Sequence, residues 1–226
     1  MLGDPLDRVD AEGILAGLKA FQRPGGQIGC LPVCSEEDVR FAYCAVAIYE
    51  ILKHKLLSEA PPSFDSDKLT SYLKSWISYD GGFGWMPGAE SHGGITYWTL
   101  GIFRILNRMH EIDEFQDRIL EWLVSRQRTE MNGIHGRLNK IPDTWYSFWN
   151  AGSLAMIDSE YPTKFIHKES VTEFVEDCQK YGGYAKYPFS DYPDILHTFY
   201  SMAFLSMMGG QKQQIDPVLG IPGMKW

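Results

Sequence analysis

Hydrophobic residues recur along this chain in two alternating textures. The first is one-sided. Ile14, Leu15, Leu18 and Phe21 share a helical face, as do Leu69, Leu73 and Trp76, then Ile119, Leu120 and Leu123, then Val171, Phe174 and Val175. Lys, Glu, Asp and Gln fill the remaining faces, which predicts helices half in water. The second texture is apolar nearly all round and covers residues 41–52, 95–106, 145–157 and 198–208. It predicts helices buried on every side, too short and too often interrupted by polar residues to span a membrane. Between the textures stand Gly25 and Gly26, Gly81 and Gly82, Gly133, and Gly182 and Gly183. Their spacing of roughly fifty residues marks one helix-pair unit copied in tandem, with neighbours sharing a core.

The units run over residues 9–52, 68–107, 116–158 and 168–209, within one domain spanning 1–226. Buried helices are expected to begin near residues 38, 92, 143 and 194. Alternation of half-buried and buried helices predicts two concentric layers, an all-α toroid whose inner helices start at one rim; a flat solenoid is the alternative. The loop at residues 61–67 separates two repeats, and nothing indicates a second domain.

Composition narrows the partners. The chain of 226 residues is 44% hydrophobic and 14% aromatic, ample for a core. A net charge of −8 argues against nonspecific binding to nucleic acid or membrane surfaces. Cys30, Cys34, Cys44 and Cys178 form no paired framework, so reduced thiols and a cytoplasmic location are expected. Cys30 and Cys34 lack a matching Cys/His pair for a zinc knuckle, and the N-terminus carries no signal-peptide pattern.

Chemistry-bearing residues collect where the buried helices start. Superposed repeats would gather His92, Arg137, Lys140, Asp143, Lys186 and His197 at one rim. Basic residues clustered on an acidic protein suit an anion. Tyr43, Tyr97, Trp98, Tyr146, Phe148, Trp149 and Phe199 follow directly. A basic rim over an aromatic well fits a ligand with a charged head and a greasy tail, such as a prenyl diphosphate. Taken singly, these residues have blander roles. Asp38 and Asp143 suit helix N-caps, His197 suits a hydrogen-bonded core, and aromatics fill cores.

Five segments carry a family resemblance: residues 38–45 (DVRFAYCA), 90–94 (ESHGG), 136–140 (GRLNK), 143–149 (DTWYSFW) and 193–197 (PDILH). Together, in this order, they resemble the β subunits of protein prenyltransferases, nearest the geranylgeranyltransferase type I branch. The resemblance implies an α-α toroid paired with a helical α subunit. It also implies transfer of a geranylgeranyl group from geranylgeranyl diphosphate to a C-terminal Cys-aliphatic-aliphatic-X cysteine of proteins such as small GTPases. By resemblance, His92, Gly93, Gly94, Arg137, Lys140 and Tyr146 hold the diphosphate, Lys186 and Tyr146 act on it during transfer, and Arg40, Tyr43 and Trp149 line the isoprenoid channel. Asp143 and His197 match two of three zinc ligands. Lys186 stands where farnesyl enzymes place a magnesium-binding carboxylate, so magnesium is not expected. The family mechanism uses zinc to hold the substrate thiol as thiolate and basic residues to stabilise the leaving diphosphate.

Three departures matter. The third zinc ligand, a cysteine in the family, is Trp145 here, and indole offers a metal no lone pair. Trp98 replaces a channel cysteine. The resemblance also implies that the chain starts inside the barrel, so the ring is expected to be open. A non-catalytic or truncated paralogue serving binding or assembly, and a Rab-type or farnesyl-type subunit, stand as alternatives.

Overall fold

Four residues end an extended stretch and start an inner helix: Asp38, His92, Asp143 and Asp194. Each has extended backbone and a side chain that accepts a hydrogen bond from the second N–H of its helix: Arg40 N at 2.8 Å, Gly94 N at 3.1 Å, Trp145 N at 3.2 Å and Leu196 N at 2.9 Å. Helix starts leave such N–H groups orphaned, and Asp caps them well. The helices so begun are α2 (Val39–Leu52), α4 (Gly93–Ile105), α6 (Thr144–Ile157) and α9 (Ile195–Met207). They start where the sequence expects them. The computed structural model describes residues 6–33, 36–53, 64–128, 130–209 and 215–222. Cys34 and residues 61–63 of the predicted loop lie outside that set.

The outer layer holds α1 (Ala11–Phe21), α3 (Ser66–Lys74), α5 (Gln116–Val124) and α8 (Lys168–Asp177), with the short α7 (Tyr161–Phe165) and a 3-10 segment Met109–Phe115 as connectors. Leu69 and Leu73, Ile119 and Leu123, and Val171, Phe174 and Val175 are buried, as their spacing predicts. Ile14 differs: it is 37% exposed, because α1 lies at the edge of the array with α2 as its main neighbour. Principal inner contacts run α2 to α4 to α6 to α9, and among the described residues none of comparable extent joins α9 back to α2. The result is an open arc of the expected all-α toroid. No described helix is long and apolar enough to cross a membrane.

The glycine segments are tight hairpins, a detail that hydrophobic periodicity does not reveal. Two contain strands of two residues each: β1 (Gln127–Arg128) with β2 (Gly133–Ile134), and β3 (Gln179–Lys180) with β4 (Gly183–Tyr184). The first two repeats make the same bridge, Gln22 with Ile28 and Ile77 with Phe83. All four hairpins share one equivalent backbone bond: Gly29 N to Phe21 O, Gly84 N to Trp76 O, His135 N to Arg126 O and Ala185 N to Cys178 O. Repeats are then joined across the arc. Gly93 N, at the start of α4, donates to Gly136 O of the next hairpin at 2.8 Å, and Thr144 N, starting α6, donates to Lys186 O at 3.0 Å.

Residues 215–222 pack on the inward faces of the inner helices. Asp216 caps the turn through Val218 N and Leu219 N, and Val218 O accepts from the hydroxyls of both Tyr43 and Tyr97. The hairpin glycines differ in their need. Gly81 has φ +103°, and a Cβ there would lie 2.3 Å from Arg118 O; Gly182 has φ +83° with nothing within 4 Å. Gly182→Ala should therefore cost about 1 kcal/mol of backbone strain, and Gly81→Ala about 3 kcal/mol because overpacking adds to strain. Urea unfolding of the two variants checks this ordering; equal losses would contradict it.

Candidate functional site

The rim formed by the inner-helix starts carries most of the anticipated residues. His92 caps α4 through Nδ1, which accepts from Gly94 N. Its Nε2 lies 3.1 Å from the Tyr146 hydroxyl on α6. Burial, with the Arg137 charge nearby, lowers the His92 pKa to about 4. The ring is therefore neutral at pH 7, and since Nδ1 accepts, the hydrogen sits on Nε2 and donates to Tyr146 Oη. Burial, with Asp143 nearby, raises the Tyr146 pKa to about 12, so the phenol keeps its proton. His92 thus occupies the phenol's lone pair and leaves its O–H free to donate to a ligand. It contributes a fixed dipole and no cation.

The positive charge comes from the hairpins. Arg137 Nη1 lies 3.3 Å from Glu90 Oε2, both side chains being about half exposed. Lys186 Nζ lies 3.6 Å from Asp143 Oδ2. The closing hydrogen bonds make Gly136, not Arg137, the structural counterpart of Lys186, so the two basic residues occupy hairpin places one residue apart. Lys140 is exposed and makes no hydrogen bond or ion pair among the described residues. Arg40 sits at the mouth of the first two repeats. It pairs twice with Asp38, at 2.9 Å each, and its guanidinium lies 5.8 Å and 5.9 Å from the Trp85 and Trp98 ring centres. Trp85, which also packs 5.7 Å from His92, is a rim residue that the repeat argument missed. It stands at the same hairpin place as Gly136 and Lys186, which was its available signal.

Gly93 and Gly94 serve mainly by being small. Their N–H groups are taken by Gly136 O and His92 Nδ1. A Cβ on Gly93 would come within 3.1 Å of the Tyr146 ring, and one on Gly94 within 3.0 Å of Trp149 and 3.2 Å of Trp98. Both glycines let α4 approach the α6 aromatics. Below them lies a continuous aromatic stack. Trp98 meets Trp149 edge-on at 5.0 Å, Trp149 stacks on Trp145 at 5.1 Å, and Trp145 stacks on the His197 ring at 4.6 Å. Tyr43 lies 6.3 Å from Tyr97, its hydroxyl bound to the residue 215–222 segment.

At the end of that stack Asp143, 2% exposed, and His197, 7% exposed, approach each other. His197 Nε2 is 3.2 Å from Asp143 Oδ1. Its N–H is not aligned for a hydrogen bond, so the contact is electrostatic. Asp194 receives the opposite ring nitrogen, Nδ1, and the backbone N–H of His197. Burial lowers the His197 pKa, but the two carboxylates more than offset that and hold it above its ordinary value. A zinc ion facing this pair would find two donors, short of the three protein ligands usual at a catalytic zinc. Beside the pair lies the Trp145 ring, its buried Nε1 without a hydrogen-bond partner among the described residues. Among the described residues, no three His, Cys, Asp or Glu side chains are placed to hold a metal ion.

Comparison with known proteins agrees with this architecture. Residues 1–221 match the prenyltransferase alpha-alpha toroid domain, and the chain belongs to that family. Its relatives include prenyltransferase β subunits. It is 31% identical, over 98% of its length, to the geranylgeranyl transferase type-1 subunit beta of Arabidopsis thaliana, and 33% identical over 98% to that of Dictyostelium discoideum. It is 35% identical over 83% to the type-2 subunit beta of Saccharomyces cerevisiae. The chain spans 59%, 60% and 55% of these three proteins. A solved structure, Candida albicans protein geranylgeranyltransferase-I complexed with GGPP, superposes with a TM-score of 0.84 at 25% identity, covering 96% of this chain and 67% of that one.

The His92 environment gives a pH prediction. Unfolded, His92 takes a proton near pH 6.5; folded, it does so only near pH 4. Its stabilisation is complete above pH 6.5 and is lost as pH falls from 6.5 to 4, by at most about 3 kcal/mol. Denaturant titrations across that window should show a slope that flattens in His92→Gln. An unchanged slope would place the acid sensitivity elsewhere.

Proposed function

We propose that the chain works as the β subunit of a protein prenyltransferase of the geranylgeranyl type I kind. In this reading it takes up geranylgeranyl diphosphate for transfer to a C-terminal Cys-aliphatic-aliphatic-X cysteine of cytoplasmic proteins such as small GTPases. The observation that carries the reading is the His92–Tyr146 hydrogen bond beside Arg137, set over the stack of Trp98, Trp149 and Trp145. The diphosphate would lie at the rim. Tyr146 would donate its O–H, and Arg137, Lys140 and Lys186 would offset charge that grows as the C1–O bond breaks. The Lys186 ammonium would do this where another enzyme uses magnesium, so binding should be independent of added Mg²⁺. The prenyl tail would run along the aromatic stack.

At the thiol end, Asp143 and His197 would offer zinc two ligands, and zinc there would hold a cysteine as thiolate. The donor set is incomplete, so the chemistry legible in this chain's own residues is that of the leaving group. A second reading, a subunit that binds without transferring, is favoured by the Trp145 ring stacked on His197 at 4.6 Å. Trp145→Cys separates the two. Zinc content of matched preparations should rise in the variant; equal content would mean that the tryptophan is not what limits metal binding.

An α subunit is the proposed partner. Ile195, Phe199 and Met202 form an apolar stripe on α9 that is 86%, 42% and 50% exposed, with Leu196 beside it at 57%. Surface of this kind seeks cover. Expressed alone, the chain should aggregate, and co-expression with a prenyltransferase α subunit should rescue it; a monodisperse monomer would refute the pairing.

The anion site is tested by calorimetric titration of geranylgeranyl diphosphate into the chain co-expressed with a prenyltransferase α subunit. Arg137→Ala should weaken binding by about 1.5–3 kcal/mol, the scale of a charged hydrogen bond. Absence of binding to the parent protein, or unchanged affinity in a folded variant, would overturn the proposal.

A further inference from the structure

Glu90 is the feature of the rim that an anion-binding role leaves unexplained. Its carboxylate lies among the groups meant to receive a diphosphate and holds Arg137 through one N–H contact at 3.3 Å. The loop beneath does not need that contact for its shape. Ser78 Oγ donates to Ala89 O at 2.9 Å, Ser91 Oγ donates to Asp80, and His92 N donates to Phe83 O at 2.9 Å. Asp80 is anchored in turn by Trp122 Nε1 at 3.1 Å. The backbone on both sides of Glu90 is therefore fixed independently, and its side chain, half exposed, is free to turn.

A second observation lies behind this loop. Arg126 is 4% exposed, yet its Nε and Nη1 have no hydrogen-bond partner among the described residues. Only Nη2 is engaged, with Ser125 Oγ at 3.0 Å, while the guanidinium lies 4.7 Å from the Trp122 ring centre. Buried guanidinium donors left unmatched are costly and call for an acceptor. Asp80 and Glu90 are the two carboxylates whose fields reach it. Asp80 already accepts from Ser91 and Trp122. Glu90 is the acceptor with a removable partner.

We propose that Glu90 is a displaceable placeholder. In the empty site it holds Arg137 at the rim; when a diphosphate takes Arg137, the carboxylate passes to Arg126. The proposal rests on the reading of the rim as a diphosphate site. It makes Glu90 a positioning residue that lowers affinity for the anion, since binding must first break an ion pair and overcome a like charge. An exposed monodentate pair is weak, which lets the ligand displace it.

The test titrates geranylgeranyl diphosphate, and separately inorganic pyrophosphate, into the parent protein, Glu90→Gln, Arg137→Ala and the double variant. Glu90→Gln should tighten both ligands about two- to fivefold, the scale of one exposed ion pair. In the Arg137→Ala background the same change should gain much less, a non-additivity that a purely structural role would not produce. Glu90→Asp, too short to span the contact, should shift affinity in the same direction and serves if the glutamine variant folds poorly. Arg126→Met should weaken binding in the parent but not in Glu90→Gln, where no carboxylate needs a new partner. Weaker binding in Glu90→Gln and Glu90→Asp, or full additivity with Arg137→Ala, would overturn the placeholder while leaving the diphosphate site intact. An Arg137→Ala protein that binds like the parent would instead sink the site reading itself.

Discussion

The hydrogen bond from the start of one inner helix to the hairpin of the next repeat organises this molecule. Gly93 N to Gly136 O and Thr144 N to Lys186 O tie the starts of α4 and α6 to the loops that carry the neighbouring basic residues. The capping side chain satisfies the second N–H, and the inter-repeat bond satisfies the first. The starts of α4 and α6, with the orphan donors and positive dipole ends that go with them, are thereby held against the rim hairpins. Arg137 and Lys186 sit within one residue of the accepting carbonyls. The fold and the charge pattern thus share one set of backbone contacts.

That constraint explains why the caps double as site residues. Asp143 caps α6 and also faces Lys186 and His197; His92 caps α4 and also aligns Tyr146. Assigning Asp143 to either capping or chemistry therefore poses a false choice. A cap that must reach its own helix has its side chain fixed by that hydrogen bond, so whatever else it touches is placed with it. Neutral His92 illustrates the gain: its accepting Nδ1 fixes the tautomer, and the tautomer fixes which way the Tyr146 proton points.

Much of this was legible in the sequence. Apolar runs bounded by Asp38, His92, Asp143 and Asp194 located the inner helices, though the expected burial on every side fails for α9, which exposes Ile195, Phe199 and Met202. The hairpins at the glycines were not legible, because two-residue strands carry no periodicity. Trp85 was legible only through its place after the hairpin glycines, a register that the closing bonds make explicit. Charge was only half legible. The sequence shows Arg137, Lys186 and Arg40, but only the fold shows that Glu90, Asp143 and Asp38 stand opposite them. Trp145 could be seen to lack a lone pair; its stacking on His197 could not.

The claim at the centre of this account is that one ligand spans the basic rim and the tryptophan stack. Tryptophan emission during titration tests it most directly, because Trp98, Trp145 and Trp149 form the proposed tail site. Geranylgeranyl diphosphate should change the emission saturably. Inorganic pyrophosphate should leave the emission nearly unchanged, yet compete with the lipid for the rim. Emission that ignores the lipid, or a lipid signal that pyrophosphate cannot displace, would contradict it.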